Sequence, residues 1–295
     1  MGVERILITG AAGFIGSNLI SFLNNGDYEI IKIDKISNSS DIFAADILDS
    51  KIVELISSHE PDIVIHLAAQ IDVTNSFLDP VQDFLVNGLG TLNVLEGAIS
   101  GGVSHFIYIT SGGAIYNSNQ NFPIPEDGKI GPISPYGISK LAGEYYVMSL
   151  CRNSDIKWTS LALSNVYANI TEHKQGVIYN FWNRLKNNQP AVINGPETTR
   201  DFIHISDVVR AISLAIQNPT NCRLNISTGI ETTLIDLHKA ISLRMGTVLD
   251  PVIKNLNIGE IPRSALDNTL AKKLIGWQPI IDLRNGIILS IPKEI

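Results

Sequence analysis

Tyr136 and Lys140 stand four residues apart in Ser134-Pro135-Tyr136-Gly137-Ile138-Ser139-Lys140, so on a helix a phenol and an ammonium share one face. A neighbouring cation favours the phenolate. A phenol brought below its free pKa of about 10 can take a proton from an alcohol near neutral pH. Taken alone, the pair also fits an ordinary solvated helix face. Its position sets it apart, because it follows a strand-like run, His105-Phe106-Ile107-Tyr108-Ile109, that leads into Thr110-Ser111-Gly112-Gly113 and delivers the hydroxyl of Ser111 to a strand end. A second candidate set opens the chain. The apolar run Ile6-Leu7-Ile8-Thr9 enters Gly10-Ala11-Ala12-Gly13-Phe14-Ile15-Gly16. Three glycines at that spacing let the backbone turn sharply and approach a diphosphate, whose charge is met by amides at a helix N-terminus. The next apolar run, from Tyr28 to Ile33, ends at Asp34. That is roughly 20 residues on, where a carboxylate accepts from both ribose hydroxyls and repels a 2′-phosphate. Together these predict NAD as cofactor, whereas a lone glycine triplet would be no more than a tight turn.

The elements that must position these groups alternate strand and helix. After Asp34 come a polar loop, Ser37 to Ser40, and a strand, Ile42 to Ile47, ending in Asp46-Ile47, a carboxylate and an apolar side chain able to flank an adenine. Asp46 or Asp49 can equally cap the helix that runs to Ser58. Pro61 to Ala69 reads as a central strand with small residues at its end, and His66 on it as a core histidine. Val81 to Ile99 reads as one long helix carrying Asn87 and Asn93. Such alternation predicts an α/β fold with a doubly wound parallel (Rossmann) sheet, whose ligands lie at the strands' C-terminal ends. Thr9-Gly10, Asp34, Asp46, Ala68 and Ser111 all fall at such ends, and one crevice can collect them. Gly112 to Pro135, rich in Gly, Pro, Asn and Ser, is expected to loop over it. Residues 1–166 are expected to form the NAD-binding domain and 167–295 a smaller C-terminal substrate-binding domain. Residues 206–227, with a helix over Val208 to Ile216 and a strand over Arg223 to Ile226, are expected to return to the first.

Composition narrows the classes of function. With 295 residues, 44% hydrophobic and 17% charged, the chain can bury a full core. A formal net charge of -7 argues against nucleic acid as a partner. No apolar run is long enough to span a bilayer and the Met1 region lacks a basic-then-apolar pattern, so a cytoplasmic location without membrane contact is expected. Cys151 and Cys222 are too few and too isolated for a disulfide framework or a zinc site, and no metal is expected.

The ordered motifs resemble those of the extended short-chain dehydrogenase/reductase family and, within it, the nucleotide-sugar epimerases and dehydratases. The resemblance lies in Gly10 to Gly16, Asp46-Ile47, His66-Leu67-Ala68-Ala69-Gln70, Gly90-Thr91-Leu92-Asn93, Tyr136 with Lys140, Asn165-Val166-Tyr167, Arg200-Asp201-Phe202-Ile203-His204 and Gly276-Trp277-Gln278-Pro279. Gln70 to Val73 and Ser111 to Tyr116 are most similar to bacterial and archaeal UDP-glucose 4-epimerases. The resemblance implies that Gly10, Gly13, Phe14, Ile15 and Gly16 hold the NAD diphosphate, Asp34 the adenosine ribose and Asp46 with Ile47 the adenine. It implies Leu67, Ala68, Ala69 and Asn87 at the middle of the cofactor, Tyr136 as catalytic base, Lys140 on the nicotinamide ribose and Ser111 as the catalytic hydroxyl. It further implies Asn165 and Arg200 on a UDP diphosphate, Val177 on the base and Glu260 on the uridine ribose; without it, Arg200 would read as a surface cation. Ser264 would occupy a sugar-pocket position where so small a side chain leaves room for an N-acetyl group.

The chain departs from this family in several places. Most relatives carry the catalytic Ser or Thr where Gly112 stands, and Tyr116-Asn117 and Tyr167-Ala168-Asn169 replace Tyr-Gly sequences. Arginines common in the family are Ala162 and Asn257 here, which leaves the diphosphate to Arg200 and Arg263. The expected reaction is epimerisation of a UDP-sugar at C4 through a 4-keto sugar: Tyr136 removes the C4 hydroxyl proton, NAD takes the hydride, and Lys140 depresses the tyrosine pKa. The expected substrates are the UDP-glucose/UDP-galactose pair and, through Ser264, the N-acetyl pair. The alternatives are a nicotinamide-dependent 4-keto reductase of nucleotide-deoxysugar synthesis and a non-catalytic dinucleotide sensor. A homodimer through the helices around Val81–Ile99 and Tyr136–Leu150 is also expected.

Overall fold

Parallel strands carry the glycine turn in the computed structural model, which describes residues 3–24, 27–36, 39–168, 170, 176–256 and 260–292. Strand β1 (Glu4–Thr9) fully buries Ile6, Leu7 and Ile8 and runs through the turn into α1 (Phe14–Leu23), which buries Gly16, Leu19 and Leu23 against the sheet. Strand β2 (Tyr28–Asp34) follows. Next, β3 is only Phe43–Ala44, shorter than the expected Ile42 to Ile47. Both of its residues are exposed, and Asp46 accepts the Leu48 amide at 2.9 Å, turning the chain out of the strand. Asp49 accepts the Lys51 amide at 2.9 Å at the start of α2 (Lys51–Ser58), and β4 (Ile63–His66) is buried throughout.

Helix α3 (Val73–Leu78) is capped by Asp72 and α4 (Pro80–Phe84) by Asp79, each accepting an amide of the first turn. The expected single helix over Val81 to Ile99 is instead α4, a widened π turn at Leu85–Leu89 and α5 (Gly90–Ser100). Strand β5 (His105–Ser111) ends in a single turn, α6 (Gly112–Ile115). Helix α7 (Pro135–Asn153) opens with Pro135 in its first turn and Ser134 accepting the Gly137 amide at 3.1 Å, and it leads to β6 (Lys157–Leu163). The second half brings β7 (Asn165–Tyr167), α8 (Val177–Lys186), β8 (Val192–Asn194), β9 (Thr199–Arg200), β10 (Phe202–His204), α9 (Ile205–Gln217) and β11 (Cys222–Ile226). It closes with β12 (Thr232–Thr233), α10 (Leu234–Met245), β13 (Val252–Lys254), α11 (Thr269–Ile275) and α12 (Leu283–Ser290).

The main sheet has strand order β11-β6-β5-β4-β1-β2-β3, parallel throughout, so β1 and β4 are neighbours where the winding reverses. A crevice must open at the C-terminal ends of those two strands. One face of the sheet packs on α1, α9 and Trp277, the other on α2, α5 and α7. A third core, around Phe181, Ile193, Leu237 and Ile287, belongs to the second half. Asp207 in α9, fully buried, accepts the amides of Ile280 and Ile281 at 3.1 and 3.0 Å, while its own carbonyl accepts the Trp277 indole N–H at 2.9 Å. That knot fastens the Gly276-Trp277-Gln278-Pro279 segment to the sheet. No helix among the described residues is long and apolar enough to cross a membrane.

Candidate active site

The glycine turn lies against the end of β4. Gly10 has φ +71°, and a Cβ there would sit 2.7 Å from the amide nitrogen of Ala68; a Cβ on Gly16 would collide with the carbonyl of Gly10. Only glycine lets these two backbones meet. Asp34 is held at the end of β2 by the Ala12 amide (2.9 Å) and the Ile36 amide (3.0 Å), one on each carboxylate oxygen, leaving lone pairs for a ligand. The cavity here, about 290 Å³, is lined by the glycine turn with Phe14 and Ile15, by Asp34, by Asp46 and Ile47, and by Leu67 to Ala69. A glycine turn packed closely on the end of β4, beside a fixed carboxylate and a cavity, fits a dinucleotide such as NAD. Asn87 is not in that lining. It is buried, with its carboxamide exchanging hydrogen bonds of 3.0 Å with the Gln70 backbone and donating to Ser139 Oγ at 3.1 Å.

At the end of β5, Ser111 hydrogen-bonds the Tyr136 phenol. Burial pushes that phenol up to about 12; the Ser111 hydrogen bond lowers it and the nearby Asp83 raises it further. Lys140 is not among the groups that move Tyr136. Its ammonium instead lies 4.3 Å over the Tyr108 ring, without a hydrogen-bond partner among the described residues. Burial pulls Lys140 down to about 7, against the opposing pull of Glu144 and Asp83. His66 is a core residue: Thr9 and Thr91 hydroxyls meet its ring nitrogens at 2.7 and 3.1 Å, and burial lowers it to about 3. The sequence reading gave no role to Asp83, Gln70, Ser139 or Glu144. A signal was available in Asp83 and Asn87, four apart on one helical face.

A second cavity, about 490 Å³, opens beside the first. Ser111, Tyr136, Asn165, Val177, Arg200 and Glu260 all line it, as do Asn180 and Asn194, which the sequence reading did not single out. Arg200 donates to the Thr199 carbonyl at 2.8 Å; burial lowers it and Glu260 raises it. Arg263 is placed otherwise than expected. Its guanidinium grips Glu231 at 2.9 and 2.5 Å and stacks 4.4 Å over Phe122, so it is committed elsewhere and does not line this cavity. Ser264, 3% exposed, stands behind Gly113, with its Oγ 3.4 Å from where a Cβ on Gly113 would be. Asn169, Asn257 and Gly259 lie outside the described residues. A Cβ on Gly112 would meet a Leu266 methyl, so a side chain there requires that leucine to shift.

Comparison with known proteins extends this picture. Residues 6–227 match the model of the NAD dependent epimerase/dehydratase family. The chain is 35% identical to the UDP-glucose 4-epimerase of Mycolicibacterium smegmatis, over 97% of each chain. It is 30% identical to the dTDP-4-dehydro-6-deoxyglucose reductase of Escherichia coli, over 96% of this chain and 95% of that one. Among solved structures, the UDP-glucose 4-epimerase of Thermotoga maritima with UDP-glucose superposes with a TM-score of 0.93, at 36% identity and over 97% of each chain.

Proposed function

Because the chain belongs to the NAD-dependent epimerase/dehydratase family, we propose that it interconverts UDP-sugars epimeric at C4, with the UDP-glucose/UDP-galactose pair as substrates. One observation carries the reading: the Tyr136 phenol, hydrogen-bonded by Ser111, faces the same cavity as Asn165, Val177, Arg200 and Glu260. A reacting sugar and its nucleotide can therefore be held at one time. Bound NAD, cradled by the glycine turn, Asp34, Asp46, Ile47 and Leu67 to Ala69, supplies the acceptor and donor for the C4 hydride.

The chain's own residues do the rest. Tyr136 takes the C4 hydroxyl proton and later returns it, and Ser111 bridges the phenol and the sugar oxygen. Lys140 offers its unpaired ammonium to the ribose of the cofactor. Arg200 meets the diphosphate with the N–H groups not spent on Thr199, while Asn165 assists, Val177 presents backbone to the base and Glu260 takes the uridine ribose. The sugar itself meets few fixed groups, which lets a 4-keto sugar turn its other face before reduction. Gly113, backed by Ser264, leaves that wall without a large side chain, which supports turnover of the UDP-N-acetylglucosamine/UDP-N-acetylgalactosamine pair as well.

A homodimer belongs to the same proposal. Phe77, Leu78, Val81 and Phe84 on α3 and α4, with Tyr145 and Tyr146 on α7, form exposed apolar surface on adjoining helices. Sedimentation at micromolar concentration checks it; a monomer at all concentrations would refute it. The second reading, a 4-keto reductase, is favoured by the similarity to the Escherichia coli reductase. Incubating the purified protein with UDP-glucose and following UDP-galactose by NMR separates the two. Epimerisation without added NADH, abolished by Tyr136→Phe, is expected. Consumption of external NADH with a 4-keto sugar and no epimerisation would overturn it.

A further inference from the structure

Behind the Tyr136–Lys140 helix lies a buried carboxylate with no assigned role. Asp83, 1% exposed, accepts the Ser139 hydroxyl at 2.6 Å, the Gln70 side-chain amide at 2.7 Å and the Asn87 side-chain amide at 3.3 Å. Three donors and no acceptor converge on it, the pattern an ionised carboxylate takes. Its partners are not scattered. Ser139 sits between Tyr136 and Lys140 on α7 and also donates to the Tyr136 carbonyl at 3.0 Å, while Gln70 continues the Leu67–Ala69 wall of the dinucleotide cavity. One side chain thus joins the cofactor wall to the first turn of the helix that carries the base.

We propose that Asp83 is a positioning residue for the Tyr136–Lys140 pair, fixing the first turn of α7 through Ser139 and holding a negative charge beneath the phenol and the ammonium. The inference rests on the reading of Tyr136 as base. Each element packed around the pair contributes its own groups: Glu144 one turn along α7, Arg223 on β11 bound to Glu144 at 2.7 Å, His66 on β4, neutral near pH 7, and Tyr108 on β5. Glu144 shares its charge with a guanidinium. Asp83 meets neutral donors only, and its charge raises both groups, alone among the carboxylates on Tyr136 and after Glu144 on Lys140.

Asp83→Asn isolates the charge. The Asn oxygen can accept from Gln70 and Asn87, and its amide can donate to Ser139 Oγ once that hydroxyl turns wholly to the Tyr136 carbonyl. The shape of the network survives. Ser139→Ala does the converse, cutting the link and leaving the charge. In holoenzyme labelled with 13C-tyrosine, the Tyr136 resonance is expected to titrate about one pH unit lower in Asp83→Asn than in the parent, and the acid limb of kcat/KM to move with it. Ser139→Ala is expected to lower kcat about tenfold with the titration in place. A merely structural Asp83 would lower Tm and leave both profiles where they were, and that result, or an unchanged kcat in Ser139→Ala, overturns the proposal. The NMR titration needs no substrate, so it stands apart from the question of which sugar is turned over.

Discussion

A buried phenol near 12 is a proton donor at rest, and the group that lowers Tyr136 is the neighbouring hydroxyl of Ser111 rather than the expected ammonium. Ser111→Ala removes the hydrogen bond that lowers Tyr136. Its pKa therefore rises, proton loss comes later, and the acid limb of kcat/KM moves to higher pH with roughly a 10²-fold loss in kcat, read from a pH–rate profile. Lys140 gives the opposite kind of test. Its folded pKa is about 7 against 10.5 free, so between those values the unfolded chain binds the extra proton and stability rises with pH. Lys140→Met is expected to raise the Tm of the cofactor-free protein at pH 6 to 7, with the gain fading toward pH 10, while turnover is lost. Gly10, Asp34 and Ser111 were legible in the sequence as candidates because each lies at a strand end, and Tyr136 because it stands four residues before Lys140 at the start of a helix. Asp83 was not, because its meaning comes from Gln70 and Ser139, 13 and 56 residues away along the chain.

Periodicity located the helices and the longer strands, but it showed neither where a helix widens nor the shortest strands. The run from Val81 to Ile99 has the apolar spacing of one helix, and nothing in that spacing marks the π turn at Leu85–Leu89. Packing explains it, since the widened turn presents the Asn87 carbonyl to α7 at Gly143. A Cβ on Gly143 would stand 2.5 Å from the Tyr108 hydroxyl and 2.8 Å from that carbonyl. Gly143→Ala is thus expected to cost about 1–3 kcal/mol, seen as a lower urea midpoint with unchanged slope. The small strands of the second half, β7 to β10, β12 and β13, have two or three residues each, too few to show alternation. Most of the substrate-side assignments therefore came from the resemblance alone.

Across the whole molecule, buried imidazoles couple folding to pH. His66 and His105 are lowered by burial from 6.5 to about 3 and about 4. As pH falls through 6.5 the unfolded chain takes up protons that the fold refuses, and stability drops before the carboxylates titrate. A series of thermal melts from pH 7 to 4 is expected to show this decline, and His66→Asn to flatten it by about one proton. The parallel, doubly wound character of the main sheet was legible from alternation; its order was not, and its seventh strand, β11, reaches the sheet only after the chain has built β7 to β10. That detour interleaves the two halves, so neither is a contiguous stretch of sequence.

Leu266 crowds the position where most relatives carry a hydroxyl. A methyl of that leucine fills the place where a side chain on residue 112 would begin. A side chain on residue 112 therefore requires the Leu266 side chain to shift, and Gly112→Ser is expected to be tolerated better together with Leu266→Val than alone, read as the Tm of the two variants. Positions 112 and 266, far apart along the chain, are therefore coupled through one point of packing.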